Sequence, residues 1–222
     1  MSIILLLSWT NVFVALAEII LALYVFTTRT KGLINIFYFI FSVAVALWVY
    51  SIGGFYIFSG PVVEELHLQA SYIAASLIMS ALFLFAMVFP FQKRRLGLEH
   101  YAFALLPLIG FSIATFMDQL LVDYAKNPTT EYFLGPLYPA YAAYIIGYFG
   151  IAIALLFEKY RMSDGIHRWQ LKNLILSMLF AGIMGITFNL ILELFGISYL
   201  NHVGTLASVI WFSATLYIVM KR

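Results

Sequence analysis

Seven long apolar runs dominate this chain, and no other feature limits its folding so severely. A helix that crosses a bilayer needs roughly 20 predominantly apolar residues. Residues 3–27, 33–58, 66–91, 99–118, 136–158, 169–194 and 202–220 each supply such a stretch. The runs are continuous, whereas the strands of a transmembrane barrel alternate in polarity. The expected fold is therefore an all-α integral membrane bundle of seven transmembrane helices, with 1–222 forming a single domain. Of the residues, 64% are hydrophobic and 10% charged, too few polar groups to cover a soluble fold of this size. "MSIILLLSWTNVFVALAE" has no basic leader and no small-residue cleavage site, so it reads as the first span and not as a signal peptide.

The basic residues orient the bundle. Arg29 and Lys31 follow predicted helix 1, and Lys93, Arg94 and Arg95 follow helix 3. Lys159, Arg161, Arg168 and Lys172 surround the turn between helices 5 and 6, and Lys221 and Arg222 follow helix 7. Eleven of the 12 Lys and Arg thus fall on one side; only Lys126 lies on the other, with Glu64, Glu65, Asp118, Asp123 and Glu131. The positive-inside rule places the N-terminus outside and the C-terminus in the cytoplasm of a prokaryotic plasma membrane.

Most connections are short, which favours sequential antiparallel packing. Between helices 4 and 5, "DQLLVDYAKNPTTEYFLGP" holds two short strand-like runs around Lys126, Asn127 and Pro128, and predicts a small β-hairpin over the outer mouth. Lipid gives helices no hydrophobic reason to associate, so small and polar residues at helical spacing mark the expected inward faces. These are Ser8, Asn11, Ala15, Glu18 and Ala22 on helix 1, and Asn35, Ser42, Ala46 and Gly53 on helix 2. Gln69, Ser76 and Ser80 mark helix 3, Ala140, Ala143, Gly147, Gly150 and Ala154 helix 5, and Gly182, Gly185, Asn189 and Glu193 helix 6. Pro107 predicts a kink in helix 4.

Several chemistries are unsupported. Absent cysteine removes disulfides, thiolate metal sites and thiol catalysis. The last helix has no lysine before Lys221, so a retinal Schiff base has no anchor. His67 and His202 lie on the outer side, His100 and His167 on the inner, and none has HExxH-like spacing, which argues against a metal site. Phosphate loops, nucleophile elbows and paired catalytic carboxylates are also missing. No enzyme, cofactor, metal or nucleic-acid partner is expected.

Ionisable and polar groups inside the membrane are functional candidates, because each is costly unless solvated, paired or neutralised. Glu18 lies eleven residues before Arg29, near the bilayer centre, at a depth shared with Ser42, Ser80 and Ser213. Glu193 lies near the outer end of helix 6, where water reaches it. Asn189 is one turn away on the same face, and the short "GISYL" turn brings Asn201 and His202 to that depth. Glu65, His67, Gln69 and Tyr72 of helix 3, Asp118 after helix 4, and Tyr132 and Tyr138 before and in helix 5 share this level. Together they predict a small-ligand pocket at the outer mouth. On the other side, Arg94, Arg95, Arg161, Arg168 and Trp169 offer a basic face to anionic lipid or a cytoplasmic partner.

The order of these features resembles the seven-transmembrane N-terminal sensor region of histidine kinases. "RTKGLINIFYFIFSVAVALWVY", "GPLYPAYAAYIIGYFGIAIALLFEKYR", "HRWQLKNLILSMLFAGIMGITFN" and the closing "TLYIVMKR" carry the resemblance over nearly the whole chain. Many members have a Pro near Ile186 or Thr187; this chain has none, which removes the sequence reason for a break in helix 6. The resemblance implies a sensor of an extracellular or membrane-dissolved small molecule that passes a helix movement to a cytoplasmic signalling module or partner and works as a homodimer. It also implies that a signalling module follows Arg222 or is supplied by a partner. Two other functions compete: a small transporter or channel using Glu18 and the polar helix faces, and a non-catalytic structural subunit.

Overall fold

Glycine and proline punctuate the chain where its helices begin. Gly32, Gly60 and Gly97 precede the second, third and fourth helices. Gly60 takes a φ of 126°, a conformation that only glycine adopts freely, and Pro61 follows in the first turn, where its missing N–H costs nothing. The structure, a computed structural model, describes residues 3–28, 32–58, 60–91, 96–122, 133–197 and 200–220. They form α1 (Ile3–Thr28), α2 (Leu33–Ile57), α3 (Pro61–Val88), α4 (Leu98–Phe116), α5 (Tyr138–Arg161), α6 (Gly165–Ile186), α7 (Asn201–Leu206) and α8 (Ser208–Met220). Six helices are long and apolar enough to cross a membrane, α6 being counted with an irregular extension to Phe195. The predicted seventh span is divided at Ala207 into α7 and α8.

The helices close into a ring. α1 packs on α2, α2 on α3, α3 on α5, α5 on α6 and α6 on α8, while α7 and α8 return to α1. α3 is the most enclosed of the long helices, and α4 leans on its outer side, burying little more than Ala104, Ala114 and Thr115. Between α4 and α5, β1 (Leu121–Val122) pairs antiparallel with β2 (Phe133–Leu134), Leu121 opposite Leu134. The segment between them, where an outer lid was expected and which includes Tyr132, lies outside the described residues.

The predicted inward faces of α1, α2 and α3 are buried. That of α5 is reversed. Ala140, Ala143, Gly147, Gly150 and Ala154 face outward, and the buried face carries Tyr138, Tyr141, Tyr144 and Tyr148. The reason is hydrogen bonding. A tyrosine facing hydrocarbon would leave its hydroxyl without a partner, whereas here each one finds an acceptor on a neighbouring helix. Tyr138 donates to Leu190 O at 2.9 Å, Tyr141 to Tyr72 O at 3.0 Å and Tyr144 to Ser76 O at 3.0 Å. Tyr148 donates to the carbonyl of Phe103. That carbonyl lies four residues before Pro107, which has no N–H to offer it. The expected disturbance of α4 is thus met by a hydroxyl from α5, and the Phe103 and Tyr148 rings stack with centroids 4.9 Å apart. Ser80, on α3, donates to the next carbonyl, Ala104 O, at 2.7 Å.

Lys159 departs from its role as a surface charge. Only 3% exposed, its Nζ donates to the carbonyls of Ala86, Met87, Phe89 and Phe91 at 2.8–2.9 Å. These are the last carbonyls of α3 and the turn after it, and an ammonium there satisfies orphan acceptors and the negative end of the helix dipole. Arg161 and Arg168 remain exposed, Arg168 lying 5.1 Å from the ring centre of Tyr160. Trp169 is half-buried edge-on against Tyr217. Arg94 and Arg95 lie outside the described residues.

Candidate functional site

The site forms where α6 loses its regularity. After Ile186 the chain widens into a π-helical turn, Thr187–Ile191, and then tightens into a 3-10 turn, Leu192–Phe195. Leu192 N–H reaches back five residues to Thr187 O. The expectation of an unbroken helix 6, drawn from the missing proline, is therefore corrected: an extra residue in the turn does what a proline would do. Gly196 ends the segment with a φ of 72°.

This irregular stretch presents Glu193 to three other helices. Tyr72 of α3 donates to Glu193 Oε2 at 2.8 Å, and Tyr138 of α5 shares its one hydroxyl proton between the same oxygen at 3.0 Å and Leu190 O at 2.9 Å. Asn201 Nδ2 of α7 donates to Oε1 at 3.0 Å. The carboxylate is 8% exposed, so the expected solvated carboxylate is instead a buried acceptor surrounded by donors. Helix counting located its depth but could not see that two tyrosines and an asparagine close over it. Hydrogen bonds to a charged acceptor are stronger than those between neutral groups, so this one residue ties α3, α5, α6 and α7 together.

Beside it lies a cavity of about 130 Å³, walled by α2, α3, α5, α6, α7 and α8. Its walls are mostly carbon, from residues such as Val45, Ile78, Leu82 and Met178. Tyr72, Asn189, Glu193 and Ser208 supply polar edges. Asn189 sits in the π turn with both side-chain amide atoms buried and without a hydrogen-bond partner. α7 passes so close that a Cβ on Gly204 would fall 1.9 Å from Asn189 Nδ2. A side chain at 204 would oblige Asn189 to turn away.

His202 faces elsewhere. Asn11 Nδ2 lies 3.0 Å from His202 Nδ1, Ser8 Oγ lies 3.5 Å from Nε2, and Thr205 Oγ1 donates to Asn11 Oδ1 at 3.2 Å. This network joins α1 to α7 and is separate from the Glu193 contacts. One turn on, Ser208 Oγ donates to Glu18 Oε1 at 2.8 Å. The expected partners of Glu18 were Ser42, Ser80 and Ser213. Ser80 instead bonds Ala104 O, and the Glu18 carboxylate accepts from Ser208 and not from Ser42. Because Ser208 also borders the cavity, it connects Glu18 to it.

Glu193, Tyr72, Tyr138, Asn201 and Asn189 are therefore gathered in one place. Gln69 is spent on Glu65 at 3.0 Å. His67 bonds Val63 O at 2.8 Å and lies against Gly54 and Phe58. Asp118 turns the chain out of α4 with a φ of 56°. Tyr141, Thr205 and Ser208 had not been singled out. The 3, 3 and 4 spacing of Tyr138, Tyr141, Tyr144 and Tyr148 is the signal that reveals the first; hydroxyls scattered on an apolar helix give no comparable signal for the other two. Among the described residues, no group of three or more His, Cys, Asp or Glu could hold a metal ion.

Comparison with known proteins agrees with the architecture. The family model described as the N-terminal 7TM region of histidine kinase matches residues 10–220. No curated protein and no solved structure matches the chain. The match and the six apolar helices make this a multi-pass plasma-membrane protein. The chain belongs to the family of seven-transmembrane N-terminal regions of histidine kinases, non-catalytic sensor parts of a signalling system.

Proposed function

We propose that this region is a receptor that binds a small molecule beside Glu193 and passes a movement of α6 and of α7–α8 to a cytoplasmic signalling module or partner. The observation that carries the reading is Glu193 itself: one buried carboxylate on an irregular turn, held by groups from three other helices, next to a cavity. A molecule entering the cavity displaces or reorders some of these contacts. Each rearrangement shifts α6 against α3 and α5, and packed helices move in discrete steps. The end bearing Glu193 lies outside in this reading, in keeping with the basic residues at the other end. The outward row of small residues on α5 gives a second copy of the chain a surface for close helix approach, which supports a homodimer.

The test is made in the native signalling protein or complex. Glu193→Gln and Asn201→Ala are expected to alter signalling output while the protein reaches the membrane at normal levels. Unaltered output in both variants overturns the reading.

A further inference from the structure

We infer that the cavity selects a small neutral amphiphile, an apolar body of about ring size bearing one head group that both donates and accepts a hydrogen bond. This rests on the receptor reading above and specifies the chemical class of its ligand.

The size follows from the volume. At about 130 Å³ the space is close to that of an engineered apolar cavity, about 150 Å³, that takes up benzene. The body follows from the walls. Val45, Ile78, Leu82, Ile145 and Met178 present only carbon and sulfur, and reward an apolar occupant.

The charge follows from what surrounds the head. Among the described residues no Lys, Arg or His lines the cavity, so an anionic head group has no counter-ion. The nearby Glu193 carboxylate would repel it. A cation gains little from Glu193, whose two oxygens already accept three hydrogen bonds from Tyr72, Tyr138 and Asn201. Pairing with Oε1, which accepts from Asn201, would leave the cation's remaining donors against carbon walls and cost it its hydration.

The head group follows from Asn189. Its amide nitrogen and oxygen are both buried and both lack a partner, and a buried polar atom left unpaired is costly. Once the side chain turns from Gly204 toward the cavity, a carboxamide answers both atoms together, its N–H to Asn189 Oδ1 and its carbonyl to Asn189 Nδ2. An alcohol answers them with one oxygen. The π turn carries this side chain into the cavity wall, and Gly204 leaves it room.

Benzamide is a probe for the class, with toluene, benzoate and benzylammonium as counterparts that lack the head or carry a charge. The readout is the thermal midpoint of the whole protein in lipid nanodiscs at matched free probe concentrations. Ala75→Phe, which fills the cavity, serves as the baseline for partitioning into lipid. Benzamide is expected to raise the wild-type midpoint by about 3 °C above that baseline. Toluene should need roughly tenfold more to do the same, and the charged probes should do nothing. In Asn189→Leu the order of benzamide and toluene should reverse. The wild-type series decides the matter even if that variant fails to fold. Charged probes matching benzamide, or toluene equal to it in the wild type, would overturn the ligand class and leave a receptor for something else. If no probe separates the wild type from Ala75→Phe, the cavity takes only water and the inference fails outright. The receptor reading fails on a different measurement, the signalling output of Glu193→Gln and Asn201→Ala.

Discussion

α5 meets a buried charge at each end, and the two are neutralised by different materials. Near its N-terminus, Tyr138 helps hold Glu193 together with side chains from α3 and α7. Near its C-terminus, about 30 Å away along the helix, Lys159 is held by four backbone carbonyls at the end of α3. Side-chain contacts can change by rotamer, one at a time. Backbone carbonyls at a helix end move only when the helix moves. Under the proposed function the Glu193 end is the one that rearranges, and the Lys159 end locks α3 and α5 into one unit against which rearrangement is read.

The contrast can be broken first at Lys159. Lys159→Met takes the shared ammonium donor from four carbonyls, those of Ala86 and Phe89 in buried contacts, and should destabilise the protein by about 3 kcal/mol or more in reversible unfolding in detergent. Arg at this position should not restore it, because a planar guanidinium cannot face four carbonyls around one point. A loss under about 1 kcal/mol would show that the Lys159 end is no lock. At the other end, Glu193→Ala should cost about 2 kcal/mol by leaving Tyr72, Tyr138 and Asn201 without their shared acceptor, and Glu193→Gln about half of that. Equal costs for Gln and Ala would mean that the negative charge, and not the acceptor geometry, holds the four helices.

Smaller effects sharpen the role of α5 as the shared partner. Tyr148→Phe should cost about 1 kcal/mol, and less in a Pro107→Ala background, where residue 107 regains an N–H for the Phe103 carbonyl. The double-mutant cycle measures that coupling, and strict additivity would refute it. Glu18→Gln should change stability by no more than about 0.5 kcal/mol, since an amide oxygen still accepts from Ser208. It should also leave signalling unchanged; a large effect on output would move the functional weight from Glu193 to Glu18.

The spans were legible because hydrocarbon thickness fixes length and hydropathy together, so predicted and observed helix limits agree to within a few residues over most of the chain. Depth was legible too, since 1.5 Å per residue placed Glu193, Asn189, Asn201, Tyr72 and Tyr138 at one level. Rotation was less so. Small residues pointed α5 the wrong way, because the demand of four tyrosine hydroxyls for acceptors outweighed the packing advantage of Ala and Gly. Lys159 was hidden for a related reason: a lysine at a membrane boundary reads as a solvated charge, and the carbonyls it caps belong to a helix some 70 residues earlier in the chain. The split between the Glu193 and His202 networks depends on side-chain direction, which spacing along two separate helices does not determine.

The π turn at Thr187–Ile191 gives α6 one residue of slack. A single residue's offset corresponds to about 100° of rotation in an α-helix. Taking up that slack would swing Glu193 away from Tyr72 and Tyr138 without stretching the chain or unwinding the buried helix below it. Under the proposed function the segment would serve as a detent, a place where the helix clicks between two angular positions while its ends stay tethered.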